Sequence, residues 1–221
     1  KTLLGAWPNP SFFSNALTVY SELQMMLNND NIFFIFREDS DIWLYVNFSA
    51  SPTLTPTNSF EPRVSGNSAE DAMVVYGSTT GVRSAFFPFN NNQTEHIIPG
   101  SSTTLASYPN VVMDNSGNAL AIWYDNGNLM YSTTHQGSPW HAPAVFATNA
   151  SPSTPAMNLD NCGNVIVAFN TAEGVKVTNG MIGSTFSTPV LLGNQGLISV
   201  DQNPCGHGMV LWIEPLNAPT T

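Results

Sequence analysis

The sequence predicts an all-β fold, a closed five-bladed β-propeller with four-stranded antiparallel blades, and three observations predict it. An aromatic column, Phe36, Tyr76, Trp123, Phe169 and Trp212, recurs at spacings of 40, 47, 46 and 43 residues, the size of one propeller blade. A second column follows 17 residues behind the first, as Thr53, Trp140 and Phe186, each with a proline three residues later. The polar fraction is Asn, Ser and Thr in place of Lys and Glu, and 16 Gly with 16 Pro punctuate it, a composition suited to short strands and turns. Helical periodicity is arguable only between Asn15 and Met26, so almost no helix is expected.

The units follow in chain order. Asn28 to Phe36 and Asn67 to Tyr76 are the weaker copies. In the next two, Asp114-Asn115-Ser116-Gly117-Asn118 and Asp160-Asn161-Cys162-Gly163-Asn164 each lead into an apolar run that ends in Trp123 or Phe169. The fifth, Asp201 to Trp212, keeps Gly206 six residues before its aromatic, as Gly117 and Gly163 stand, and reads with two residues inserted earlier. Within the third unit, strand A covers Tyr108 to Asp114, strand B Ala119 to Tyr124, strand C Leu129 to Thr134, and strand D the stretch around Trp140 to Phe146. Proline falls in D, the outer edge, where a missing ladder donor is tolerated.

A single domain, 1–221, is expected. Nine residues follow Trp212, too few for the rest of a blade, and the N-terminus is expected to supply the missing outer strand. Trp7-Pro8-Asn9-Pro10 matches Trp140-His141-Ala142-Pro143, and 16 residues separate Trp212 from Trp7 when counted round the ends. Residues 1–12 then complete the last blade through sheet hydrogen bonds, and removing them is expected to destabilise the whole domain.

Charge narrows the partners. Of 221 residues 15 are acidic and 5 basic, the net charge is −10, and 42% are hydrophobic, which excludes intrinsic disorder. Five cations, Lys1, Arg37, Arg63, Arg83 and Lys176, do not make the basic footprint that nucleic acids or anionic membranes require. No apolar run approaches the roughly 20 residues of a spanning helix. A chain that starts at Lys1 reads as a processed product with any export signal upstream, and a secreted or cell-surface monomer is expected, with a glycan or a surface protein as its partner.

The Asp-x-x-Gly-Asn segments at Asp114 and Asp160, each followed by an apolar strand and an aromatic, resemble the repeats of bacterial exported β-propeller proteins. In size and blade number the chain is also similar to the tachylectin-type five-bladed lectins, although their characteristic motifs are not found here. That similarity of form implies sugar sites between blades and a non-enzymatic, lectin-like or protein-interaction role. The ligand-binding candidates are Trp7 with Asn9 and Trp140 with His141, because an outer-strand aromatic either packs between blades or stays open as a stacking platform.

The rival reading from another class is a glycoside hydrolase. Glu38, Asp125 and Glu214 share one column, two residues past the aromatic, and strand order puts these B–C turns on one face with the D–A loops. A ring of exposed turn acids supplies neither the asymmetry nor the burial that a glycosidase pair needs. A ligand-free scaffold is the third reading. No cofactor and no metal is expected. The repeated Asn67, Asp114, Asp160 and Asp201 fall short of the 6 to 8 oxygens calcium takes and read as turn formers. Cys162 and Cys205 stand seven residues before their aromatics in equivalent turns, which leaves open either a disulfide, with an oxidising compartment, or two free thiols.

Overall fold

The computed structural model describes residues 20–28, 31–38, 41–46, 49–50, 59–89, 94–101, 106–160, 162–203 and 206–214; in the first sheet only the side chains of Phe33, Ile35, Ile42 and Leu44 are included. All regular structure among the described residues is β, and Tyr20–Asn28, which overlaps the one stretch where helical periodicity is arguable, is a strand.

Strands follow one another as antiparallel meanders. The first sheet holds β1 (Tyr20–Asn28), β2 (Asn31–Glu38), β3 (Asp41–Val46) and β4 (Ser49–Ala50), and the second β5 (Phe60–Gly66), β6 (Ala72–Ser78), β7 (Gly81–Phe87) and β8 (Thr94–Ile97). The third holds β9 (Ser107–Met113), β10 (Asn118–Asp125), β11 (Asn128–His135) and β12 (Ala144–Thr148), and the fourth β13 (Ala156–Leu159), β14 (Asn164–Thr171), β15 (Gly174–Met181) and β16 (Val190–Gly193). The last, β17 (Leu197–Gln202) with β18 (Gly208–Ile213), is two-stranded among the described residues. In the third unit the four expected strands lie within a few residues of their predicted places. The first strand of each sheet contacts the first strand of the next, β1 with β5, β5 with β9, β9 with β13 and β13 with β17. Residues 1–12, and with them the predicted outer strand of the fifth blade, lie outside the described residues.

Each inner sheet buries both faces, and this explains its near-continuous apolar runs. Along β10, Ala119, Ala121 and Trp123 turn toward the second sheet, where they pack with Met73, Val75 and Phe86. Their alternates Leu120 and Ile122 turn toward the fourth sheet and meet Val165, Val167 and Phe169. The seam between the first two sheets is filled the same way by Phe33, Ile35, Ile42 and Leu44 against Val64, Val74 and Tyr76. Period-two alternation therefore distributes one strand between two cores.

The A–B turns close by a reciprocal pair. Asp114 Oδ1 accepts the backbone N–H groups of Ser116 and Asn118 at 2.9 and 2.8 Å, and Oδ2 accepts Asn118 Nδ2 at 2.8 Å. Asp160 does the same for Cys162, Asn164 and Asn164 Nδ2 at 2.9, 2.8 and 2.7 Å. In the second sheet the pair is reversed: Asn67 Oδ1 takes the N–H groups of Ala69 and Asp71, and Asn67 Nδ2 donates to Asp71 Oδ2 at 3.0 Å. These oxygens serve their own turns, as the turn reading requires.

The fifth copy differs from the sequence alignment. Asn203, not Asp201, occupies the turn position: its N–H donates to His207 O, its Oδ1 accepts His207 N–H, and its carbonyl accepts Gly206 N–H. Asn203 stands nine residues before Trp212, as Asp114 stands before Trp123, so the apparent insertion disappears. Asp201 instead accepts Asn158 Nδ2 of the fourth sheet at 3.1 Å. Gly117, Gly163 and Gly206 hold φ of 82°, 86° and 83°, whereas the second sheet places Glu70 there at φ 66°.

Replacing Asp160 by Ala removes the acceptor of three hydrogen bonds at a residue only 4% exposed, and is expected to cost about 3 kcal/mol. Glu70→Gly is expected to gain about 0.5 kcal/mol, because a left-handed non-glycine residue is strained. Urea midpoints of the two variants against the parent chain check both signs.

Candidate functional site

The described aromatics of the second column turn inward. Trp140 is 5% exposed, lies in the core between the second and third sheets, and donates its Nε1–H to Ser84 Oγ at 2.7 Å. A ring closed off from water with its single donor used is no stacking platform, so that expectation is corrected. His141 is exposed on the strand edge, where its N–H donates to Thr133 O at 3.0 Å and its Nδ1 meets Thr133 Oγ1 at 2.9 Å. Alternation along the edge thus separates these two residues. Phe186, their counterpart in the fourth sheet, packs edge-on against Phe146 at 4.9 Å. Trp7 and Asn9 lie outside the described residues.

The carboxylate column lies at the B–C turns. In the two blades that lack an acid there, the equivalent residues are Ser78 and Thr171, whose hydroxyls donate to Gly81 O at 2.8 Å and Gly174 O at 2.9 Å across the B–C turn. Asp125 closes the corresponding turn by pairing with Asn128, and the Glu38 backbone pairs with Asp41, its side chain being outside the described set. These residues occupy separate blades, and no pair of them is drawn together. Cys162 is exposed with a free thiol, and Cys205, its predicted partner, lies outside the described residues.

Glu214 is the exception in that column. It is exposed, and its carboxylate bridges two sheets: Oε1 accepts Asn194 N–H at 3.0 Å, Oε2 accepts Asn194 Nδ2 at 3.0 Å, and the Trp212 indole N–H points at Oε1 from 3.4 Å. The Asn194 side chain, then its backbone N–H, hold the Glu214 carboxyl below the usual range because they bond to its charged form. Gly193 makes the approach possible, since a Cβ there would stand 2.7 Å from Glu214 Oε1 and 2.9 Å from the indole nitrogen.

Trp212 departs from its own column in parallel. Tyr76 and Trp123 are fully buried and Phe169 is 2% exposed, but Trp212 is only half-buried. Sequence reasoning placed it among the wedge residues, and its place in the aromatic column carries no signal of the difference. The rim between the fourth and fifth sheets therefore combines an indole face, an ionised carboxylate and an amide. Nearby, Gln195 Nε2 donates to Thr171 O at 2.6 Å and to Ser151 Oγ at 3.2 Å, and Asn170 bonds both N–H and carbonyl of Gly196, which fixes the loop that carries Asn194.

A second polar group, Tyr76 with Glu95 and Arg83, has a structural account. The buried Tyr76 hydroxyl donates to Glu95, which Arg83 meets at 3.3 Å. Burial first, then Glu95, pushes the phenol far above its ordinary range, so it stays protonated and ties β8 to the sheet.

No family model and no curated protein sequence matches the chain. Among solved structures it is similar to a protein of unknown function from Dyadobacter fermentans, with TM-score 0.62, 11% identity, and 87% of this chain covering 74% of that one. It is also similar to the Aleuria aurantia lectin in complex with α-methyl-L-fucoside, with TM-score 0.53, 13% identity, 73% of this chain and 56% of that one. A third likeness is to the Dos1 propeller, with TM-score 0.55, 8% identity, 79% of this chain and 47% of that one. The chain thus spans about half the length of the lectin and of the Dos1 propeller. At these identities the likeness shows the fold alone: the chain is a β-propeller.

Trp140→Ala is expected to cost about 3–5 kcal/mol, whereas His141→Ala stays within about 0.5 kcal/mol of the parent; chemical denaturation separates the two. For Glu214 the folded pKa lies below the unfolded one, so the bonds to Asn194 are at full strength above the ordinary glutamate range and are lost as pH falls through the depressed value. An NMR titration following the Asn194 side-chain amide is expected to show a midpoint below that of a free glutamate.

Proposed function

We propose that this propeller is a non-enzymatic, lectin-like binding module that takes a neutral sugar ring on the rim between its fourth and fifth sheets. The reading includes a five-bladed closed ring, action as an exported monomer, and no cofactor. Trp212 is the apolar platform for the ring's C–H face, Glu214 accepts from sugar hydroxyls, and Asn194 fixes the carboxylate in place. The observation that carries the reading is that Trp212 is half-open while Tyr76, Trp123 and Phe169 of its column are closed, and that Glu214 and Asn194 stand beside its nitrogen.

The physical case is one of matching. An aromatic body with a polar edge suits a ligand that is apolar on one face and hydroxylated at its rim, and a few fixed polar groups give such a site its orientation. An ionised carboxylate forms the stronger, charge-assisted bonds to hydroxyl donors.

The hydrolase reading ranks second. It needs two carboxylates about 5 to 9.5 Å apart, one with its pKa raised, and the carboxyl at this rim is shifted the other way. A protein partner takes the place of the glycan if no sugar binds.

A glycan array probed with the 221-residue chain tests this, with Trp212→Ala and Gly193→Val alongside and folding checked by circular dichroism. Specific binding that falls at least tenfold in both folded variants is the expected result. Binding that survives Trp212→Ala moves the site elsewhere, and an array with no hit sinks the sugar reading.

A further inference from the structure

The seam between the fourth and fifth sheets opens into a cavity of about 360 Å³. Pairing in the fourth sheet sets Ile166 opposite Asn179 and Ala168 opposite Val177, and in the fifth it sets Val200 opposite Val210 and Ile198 opposite Trp212. Period-two alternation therefore puts Asn164, Ile166, Val177 and Asn179 on one wall, and Val210 with Trp212 on the facing one. Val210 and Trp212 are two residues apart on one strand, a step of about 7 Å. On the opposite side Val190 lines the cavity, and Gly193, three residues further on, gives the indole nitrogen its room. Cavity and indole thus follow one another along a single seam.

The lining decides what the cavity can hold. Among the described residues it has five uncharged polar and five branched aliphatic residues and no charged one, so an ion meets no counter-charge there and a purely apolar molecule leaves polar groups unmet. Two amides are held by their neighbours with one end to spare. Asn164 donates its Nδ2–H to Asp160 Oδ2 at 2.7 Å, which leaves Oδ1 as a fixed acceptor. Asn179 Oδ1 accepts from Ser187 Oγ at 2.8 Å, which leaves Nδ2 as a fixed donor. The Gln202 carbonyl oxygen is closed off behind the lining and takes no part.

A fixed donor and a fixed acceptor between the side chains of Ile166, Val177 and Val210 suit a ligand unit that is neutral, carbon on its faces and hydroxylated at its edge. The volume stands near the lower end of the roughly 300 to 1,000 Å³ of ligand pockets, room for one small ring.

We propose that this cavity is a second subsite of the Trp212 site, so that the ligand is a neutral oligosaccharide with one unit on the indole and the adjoining unit in the cavity, held between Asn164 Oδ1 and Asn179 Nδ2. This rests on the sugar reading of the rim and goes past it by fixing the class of ligand: a single sugar leaves half of the seam unused, and two linked units use both halves.

Titration calorimetry of the 221-residue chain tests the subsite with glucose, galactose, mannose and N-acetylglucosamine, each as the single unit and as its two-unit homo-oligomers. In a series that binds, the two-unit sugar is expected to bind about tenfold more tightly than the single unit, the scale of two neutral hydrogen bonds. Asn179→Ala removes the donor, and Val190→Trp obstructs the mouth from a position 59% exposed. With circular dichroism matching the parent, each is expected to abolish the two-unit advantage and to leave single-unit binding within about twofold, whereas Trp212→Ala abolishes both. Equal affinity for one and two units in the parent chain overturns the subsite and leaves the rim reading standing. So does a two-unit advantage that survives both cavity variants. Absence of binding in every series instead overturns the rim reading, on which the subsite rests.

Discussion

Everything in this molecule depends on sheets that must be covered on both sides. A propeller blade has no solvent face along its inner strands, so each must supply two apolar surfaces and find a neighbour for each. That is why β6 and β10 are buried almost along their whole length, and why the residues between sheets, not those within one, determine the architecture. The chain is also poor in charge, with 9% charged residues. Amides and hydroxyls do the polar work instead, because they bond to the backbone at short range and need no counterion.

The repeat was legible because this demand is periodic. Tyr76, Trp123 and Phe169 read as one column in the sequence and are one layer in the structure, each closing the wedge of its own blade. The Asp-x-x-Gly-Asn turns were legible for a different reason: a carboxylate that caps its own turn and a glycine that accepts positive φ leave a local signature. Asn203 escaped notice since a neighbouring Asp201 imitated the expected residue, and only the hydrogen bonds of His207 distinguish them.

The site was much less legible. Trp140 and Trp212 are both tryptophans on blade strands, and sequence favours the first as a platform because it sits near the edge. Packing inverts the order: Trp140 lies against a second-sheet wall, whereas Trp212, among the described residues, stays half-open beside the Gly193 loop. The acids of the B–C turns looked like a functional ring because they share a column, yet at that column position Ser78 and Thr171 close their turns through hydroxyls. What sets Glu214 apart is Asn194, 20 residues away in sequence, and a contact of that span has no short-range signature.

The reversed pair of the second sheet has a consequence for how these repeats diverge. Asn67 with Asp71 and Asp114 with Asn118 are the same hydrogen-bonded unit read in opposite directions, so neither can become the other by a single replacement. One intermediate would set two carboxylates at hydrogen-bonding distance, where one must hold a proton to remain. The other sets two amides there, with donor and acceptor still matched. The passable order of replacement runs through the double amide, and the negative charge of each turn is thus the residue most free to change sides over a lineage.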